Sequence, residues 1–430
     1  MVRLKPFKAT IINPGLDNVN DLICPVYDTI NALRYGIYAK EPNNVIHFTT
    51  RKKDVPEKDF IAYARDNLDR FFREGLLQEF DEDAFYIYGV IYSISDEMLD
   101  QIPKKDRRDK YFTLGLVSLV GIEELGKGTI VGHENIFEVN TCERYNLMKE
   151  CGMNFSPILA EYSIPEHNLN RLLEDYLGIK RPDLTLKKDR IPLVDVILDG
   201  SRHLLWKISD KGIIENIQEM MSDKKIMILD GHHRYTASVK LKKNDCVEYT
   251  MMVLVEGGDR ALLLLPWHRC LKNCDMDKLK DIINKKFEVE SFEKADLDVY
   301  YHKLRGNNKH EVKIGMYDGT KFHILHLDKK TVKAVSEKKD ETIGLDLIIM
   351  HEWLIEPTLI GNPEDVVFVS CPNKAIYNVD NNGFKVAFFS NSLRIEDVEY
   401  KAHEKKKNFP QKSTYFLPKV AEGIVMRRFD

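Results

Sequence analysis

Lys224-Lys225-Ile226-Met227-Ile228-Leu229-Asp230-Gly231-His232-His233-Arg234 is the run that decides how this 430-residue chain reads. Lys224–Leu229 (KKIMIL) has the length and apolar content of a short buried strand, and Asp230 and Gly231 break it. His233–Lys243 then reads as a helix, and Val247–Val255 as another strand. Strand, tight turn, helix and strand in that order predict an α/β or α+β architecture.

The turn gathers a carboxylate, a glycine, two imidazoles and a guanidinium where a strand hands over to a helix. Gly231 lets the backbone bend tightly and approach a ligand. The first amides of the helix are unpaired donors, and the helix dipole favours an anion there. Arg234 is suited to grip a phosphate bidentately, and His232 and His233 to donate hydrogen bonds or move protons. Asp230 suits Mg²⁺ or the polarisation of a hydroxyl nucleophile. The same residues also suit an ordinary polar turn, with Asp230 as helix cap and the histidines half exposed. Phosphate binding alone does not separate a kinase, a phosphatase and a passive nucleotide sensor.

Working outward, Phe60, Ile61, Ala64, Leu68, Phe71 and Phe72 recur at helical spacing within Asp59–Glu74, and Gly75 stands as the stop. Ala84–Ile94 and Tyr111–Val120 read as strands joined by a charged loop, IPKKDRRDK, and helical patterns return at Arg144–Glu150 and Asn168–Leu177. Further on, Glu311–Tyr317 and Lys321–His326 flank a hairpin turn at Asp318-Gly319-Thr320, and Leu345–Ile355 is a helix expected to end before Pro357. The lysine-rich Lys401–Lys407 precedes Phe409–Lys419. A soft boundary near Gly257–Asp259 divides the chain into residues 1–258, with the nucleotide-binding turn, and an α+β region, 259–430.

With 43% hydrophobic residues, there is enough apolar material for real cores in two or three domains. A formal charge of −4 does not suggest a general nucleic-acid binder. No apolar run approaches the roughly 18–20 residues needed to span a bilayer, and the N-terminus lacks the apolar core of a signal peptide. Seven cysteines without CxxC or a small-domain disulfide pattern read as reduced thiols in a cytoplasmic protein.

The turn DGHHR after a buried strand resembles the signature of free-serine kinases in the ParB/sulfiredoxin superfamily. Further pieces resemble a large family of bacterial, archaeal and some eukaryotic proteins carrying a domain of unknown function. These are Cys24–Ile30 (CPVYDTI), Asn44–His47 (NVIH), His133-Glu134, Asn154–Pro157 (NFSP), Arg202–Trp206 (RHLLW), Asp230–Tyr235 (DGHHRY), His268-Arg269 and Pro410–Lys419 (PQKSTYFLPK). They run from one end of the chain to the other and specify the family better than its reaction. The resemblance implies a ParB/sulfiredoxin-like core with large N- and C-terminal elaborations, in which this turn cradles nucleotide phosphates.

Sulfiredoxins carry a reactive cysteine where His232 stands, so a thiol mechanism has no nucleophile at the motif. ParB-type proteins bind CTP and carry a DNA-reading domain, of which the weakly acidic balance gives no sign. The serine-kinase form matches without substitution. It implies phosphoryl transfer from ATP or ADP to free L-serine, giving O-phosphoserine, with Mg²⁺ bridging phosphate oxygens. In that reading Gly231, His232, His233 and Arg234 hold phosphates, Asp230 serves the metal or the nucleophile, and Glu134 orients or deprotonates the hydroxyl, with Arg144 on the following helix. The alternatives are a non-catalytic nucleotide-binding regulator, and a kinase or phosphohydrolase acting on another small hydroxyl metabolite.

Other residues near this chemistry have two readings each. Glu134 also suits a carboxylate near a helix start. Lys412, Ser413 and Thr414 resemble the end of a Walker motif, but no GxxxxG precedes them. They are phosphate ligands or part of a packed C-terminal strand with Tyr415 and Phe416 on opposite faces. Asp28 suits a substrate amine and Tyr27 a pocket wall, or Asp28 caps a turn. His203 and Trp206 read as core residues. A zinc HExxH site is disfavoured, because Phe137 follows His133-Glu134 and Ile355 follows His351-Glu352 where the second histidine is required.

Overall fold

The computed structural model describes residues 1–99, 101–102, 104–163, 168–181, 190–305, 311–339, 343–362 and 365–429. Pro103, within the expected charged loop, lies outside them.

A nine-stranded mixed sheet organises the first half of the chain. Its strands are β1 (Leu4–Lys5), β2 (Phe85–Tyr92), β3 (Tyr111–Gly121), β4 (Ile130–Val131), β5 (Ile158–Tyr162), β6 (Val194–Leu198), β7 (Ser201–Ile208), β8 (Ile226–Asp230) and β9 (Tyr249–Glu256). The spatial order is β6-β7-β2-β3-β9-β5-β8-β4, with β1 alongside β3. Only the β8–β4 and β9–β5 pairs are parallel. The central strands are apolar almost throughout because both faces are covered. Alternation divides them: Tyr86, Tyr88, Val117 and Leu119 enter one core, while Phe85, Ile87, Leu114 and Leu116 enter the other.

Helices cover both faces. On the first, α1 (Glu57–Arg73) buries Phe60, Ala64, Leu68 and Phe71, a single stripe at helical spacing. On the second, α3 (Asn168–Leu177) buries Leu169, Leu173 and Leu177, and α4 (Lys211–Met221) buries Ile214, Ile217 and Met221. Two further helices flank the turn after β8. These are α2 (Glu138–Cys151), which begins six residues earlier than the apolar pattern at Arg144 suggested, and α5 (His232–Asp245). His203 is the satisfied core histidine anticipated, bonded through Nδ1 to Tyr88 Oη at 2.9 Å, with Trp206 buried three residues on.

Beyond β9 the chain enters a second sheet, antiparallel and six-stranded, in the order 288–292, 322–326, 313–317, 386–389, 268–271 and 367–369. Leu345–Ile349 does not stop before Pro357. It continues through a π-helical stretch, Met350–Ile355, into Glu356–Thr358, with Pro357 in that last turn, where its ring meets an already widened helix.

From Phe409 the chain returns to the first unit. Phe409 pairs with the backbone of His133 and Asn135, Tyr415–Leu417 with Leu263–Leu265, Ala421–Glu422 with Cys24–Pro25, and Arg427–Arg428 with Met153–Asn154. Phe409, Phe416, Val425 and Met426 belong to the same core as α1. The tail is therefore part of the first unit's interior. Phe416→Ala is expected to lower stability by about 3–5 kcal/mol, the usual cost of truncating a buried phenylalanine. Urea unfolding measures it, and an unshifted midpoint would mean that this docking adds nothing.

Candidate functional site

β8 ends at Asp230, and Gly231 opens α5 from a left-handed conformation, φ +98°. A Cβ on Gly231 would stand 2.9–3.0 Å from the Arg234 guanidinium, so both φ and space call for glycine. No side chain caps α5; Asp230 is not its cap. The first amides of a 14-residue helix thus lie at the turn without a side-chain acceptor.

The two histidines diverge. His232 is buried, its ring edge-on to that of His133 at 4.6 Å. The backbone N–H of His133 donates to His232 Nε2 at 3.2 Å, which puts the ring proton of His232 on Nδ1. Burial, then the neighbouring His133 and His233 rings, holds His232 well below the usual histidine range. His233 stacks on Phe137, ring centroids 6.4 Å apart, and burial followed by Lys412 brings its pKa down to about 4. Both rings are neutral at pH 7, so they contribute hydrogen bonds here rather than charge.

Arg234 is turned beneath the turn. Its Nη1 donates to Ser156 Oγ (2.8 Å) and the Pro157 carbonyl (2.6 Å), and its Nε is buried without a partner. Its fork is committed to the NFSP segment. Arg144 is likewise engaged, donating to the Thr49 carbonyl at 2.8 Å and to Glu143 at 2.6 Å, with its guanidinium 4.1 Å over the Tyr27 ring.

The cations facing the turn are lysines of the tail. Lys412 Nζ lies 2.9 Å from Asp28 Oδ2, and Lys419 Nζ 3.3 Å from Asp230 Oδ2. Asp28 stands in a short turn, Tyr27–Thr29, without a capping bond. Partial burial acts against charge on both members of the Lys412–Asp28 pair, but the pairing outweighs it. Asp28, Asp230 and Glu134 raise the Lys412 ammonium, and Lys412 and Lys419 lower the Asp28 carboxyl. Asp230 Oδ2 is buried and makes no hydrogen bond, although Lys419 and, at 3.9 Å, Arg234 Nη2 stand near it.

Glu134 precedes α2 by four residues, and the tail fixes it rather than a helix start. Its Oε1 accepts from the Ser413 N–H (3.0 Å), the Thr414 N–H (2.7 Å) and Thr414 Oγ1 (2.6 Å). The Ser413 hydroxyl donates to the Pro410 carbonyl at 2.7 Å, so both hydroxyls of the segment are used within the protein. His133 Nε2 meets Thr414 Oγ1 at 2.8 Å while Nδ1 donates to the Ile228 carbonyl at 2.8 Å. Tyr415 is half buried against Trp267, and Phe416 points into the core, as alternation requires.

Asp28, Asp230, Glu134 and His233 thus all lie within electrostatic reach of Lys412, beside the turn at Gly231. Sequence reasoning did not single out Lys419, His133 or Arg269 as site residues. All three lay inside quoted motifs, and for Lys419 the available signal was a second cation seven residues beyond Lys412. Among the described residues no group of three or more His, Cys, Asp or Glu side chains is placed to hold a metal ion, and all seven cysteines are free. No helix of the described residues is long and apolar enough to cross a membrane.

Mixed α/β architecture and a glycine-opened helix beside paired lysines and carboxylates define the class of the molecule. A family model described as "Protein of unknown function (DUF1015)" matches residues 4–347, and the chain belongs to that family. A comparison with curated proteins found no match. Among solved structures, a conserved hypothetical protein from Pyrococcus furiosus is similar at 16% identity and TM-score 0.36, over 69% of this chain and 91% of that one. A free serine kinase in complex with AMP is similar at 13% identity and TM-score 0.35, over 71% and 98%. SbnI from Staphylococcus aureus, with a C-terminal truncation, is similar at 12% identity and TM-score 0.36, over 71% and 85%.

Two outcomes follow from this geometry. Gly231→Ala should cost about 1–3 kcal/mol, since it forces an alanine into a left-handed conformation against Arg234; denaturant unfolding reads the change. The unfolded chain protonates His233 near pH 6.5 and the folded one only near pH 4, so its contribution to stability weakens as pH falls through that window. An NMR titration midpoint of its ring near 4 checks this, and one near 6.5 would place the ring in water.

Proposed function

We propose that this protein is a small-molecule kinase that transfers a phosphoryl group from ATP or ADP to the hydroxyl of free L-serine, giving O-phosphoserine, in the cytoplasm. One observation carries the reading: a buried, unbonded carboxylate oxygen of Asp230 stands beside the open amides of α5 and the ammonium of Lys419. Such a site offers donors to phosphate oxygens and an acceptor to whatever cation accompanies them. Residues 1–258, completed by the tail from Phe409, form the catalytic region in this reading.

The terminal phosphoryl group rests on the Gly231 and His232 amides, and the His232 Nδ1–H and His233 supply further hydrogen bonds. Lys412 and Lys419 neutralise the phosphate charge that grows in the transition state. Arg234 and Arg144 act from behind by fixing the turn and Tyr27. The serine oxygen bonds to phosphorus as the bond to the leaving nucleotide breaks, and its proton passes to a carboxylate of the cleft. Glu134 and Asp28 border that position, and Asp28 also suits the serine ammonium. Asp230, whose Oδ2 makes no hydrogen bond, would hold Mg²⁺, which would supply neutralisation of phosphate charge. With phosphates as co-ligands, one or two carboxylates suffice to hold it.

A non-catalytic nucleotide sensor is favoured by a different observation. Glu134 Oε1 already accepts three hydrogen bonds from Ser413 and Thr414, which leaves only Oε2 for a substrate hydroxyl. Incubation with ATP or ADP, Mg²⁺ and serine, followed by phosphorus NMR, separates the two. O-phosphoserine is expected, and nucleotide binding without serine-dependent turnover would leave the sensor. Asp230→Asn should lower turnover by at least about a hundredfold with the unfolding midpoint retained; undiminished activity would remove Asp230 from the chemistry.

A further inference from the structure

A cavity of about 620 Å³ opens between the two units. Asn135 and Phe137 wall it from the first unit, Pro410 and Gln411 from the tail, and His351 and Phe368 from the second unit. Its size falls within the roughly 300–1,000 Å³ of small-molecule pockets and far exceeds what a serine would fill. Phe137 is also the ring on which His233 stacks, 13° from parallel, so cavity and turn share a wall.

The polar side of the cavity is set by elementary chemistry. A guanidinium only donates, and Arg269 Nε lies 3.3 Å from His351 Nε2. His351 therefore accepts at Nε2 and carries its proton on Nδ1, for which no partner exists among the described residues. Burial, then Arg269, keeps this ring neutral at pH 7, with a pKa near 3. The cations at the rim are engaged: Lys339 pairs with Glu352 at 2.7 Å, and Lys407 Nζ donates to the Lys339 carbonyl at 3.2 Å. The cavity thus offers aromatic and aliphatic walls, a neutral donor, side-chain amides and the Glu356 carboxylate, with its lysines engaged and little call for an anionic ligand. A flat, uncharged nitrogen heterocycle meets that description, with apolar faces and acceptor atoms at its edge.

We infer that this cavity seats the purine ring of the nucleotide, between Phe137 and Phe368, with His351 Nδ1–H donating to a ring nitrogen. The inference rests on the turn as phosphate seat for the direction in which the nucleotide lies, and it extends the site into the second unit. Arg269 gives that extension a physical link: fully buried, it donates from Nη2 to the Lys412 carbonyl at 3.1 Å while holding His351.

The test uses the full chain, with adenosine and the magnesium complex of inorganic tripolyphosphate titrated separately by calorimetry. Ile348 is half buried on the cavity wall, and Ile348→Trp fills the space without touching the turn. Wild type is expected to bind adenosine, and the variant at least about tenfold more weakly, with tripolyphosphate binding unchanged. Leu359→Trp, on the same wall, repeats the measurement should the unfolding midpoint of the first variant fall. Adenosine binding that is absent from wild type, or equal in wild type and a folded variant, overturns the inference. Loss of tripolyphosphate binding from wild type with adenosine binding retained would instead sink the reading of the turn.

Discussion

Two ammonium groups on one tail meet two carboxylates from distant parts of the chain, and these pairs assemble the candidate site. Lys412 reaches Asp28 and Lys419 reaches Asp230. Charges drawn partly out of water are tolerated when paired and costly when one partner is missing. Removing the tail would leave Asp28, Asp230 and Glu134 without their lysine partners, with Arg234 as the cation remaining beside Asp230. The core contributed by Phe409 and Phe416 is therefore also what makes an acidic cleft possible, and the second unit is an insertion between the first unit and its own last strands.

Arginines and lysines divide the labour. Arg144, Arg234 and Arg269 are buried, and each spends its planar fork on carbonyl, hydroxyl or carboxylate partners within the protein. The lysines, compact charges on flexible stems, face the cleft with a single close partner each. Arg234 has the right chemistry for phosphate, and the sequence reading gave it that role. Its burial below Gly231 commits it instead to Ser156 and Pro157, where it supports the backbone that an anion would meet.

What was legible in the sequence was local. Alternation in 84–94 and 111–120, the stripe on 59–74 and the break at Asp230-Gly231 each follow from periods of two or 3.6 residues, and the corresponding elements lie within a few residues of those bounds. The hairpin around Asp318 and the helix at 168–177 were equally local. Pairing of Ala421–Glu422 with Cys24–Pro25 was not, because nearly 400 residues separate the partners and two-residue strands carry no period. The passage through Pro357 was hidden for another reason: a π-helical stretch relaxes the backbone rule that makes proline a stop. At the site, residue types pointed to Glu134 and Asp28, but only the tail's return identifies the groups they face.

If the turn seats phosphate as proposed, neutral histidines alter the charge balance there. With His232 and His233 uncharged at pH 7, attraction for an anion comes from the helix dipole and from two lysines that are already paired. An incoming polyphosphate alone would have to pull those lysines from their carboxylates and leave Asp28 and Asp230 exposed to its own negative charge. A polyphosphate that arrives with a divalent cation does not face that penalty, since each lysine exchanges a carboxylate for a phosphate and the carboxylates exchange an ammonium for the metal. The number of opposite-charge contacts is then conserved, and a cleft with three carboxylates becomes compatible with an anionic ligand. Under the proposed function, the acidic residues around the turn would therefore favour the metal-bound form of a nucleotide over the free one.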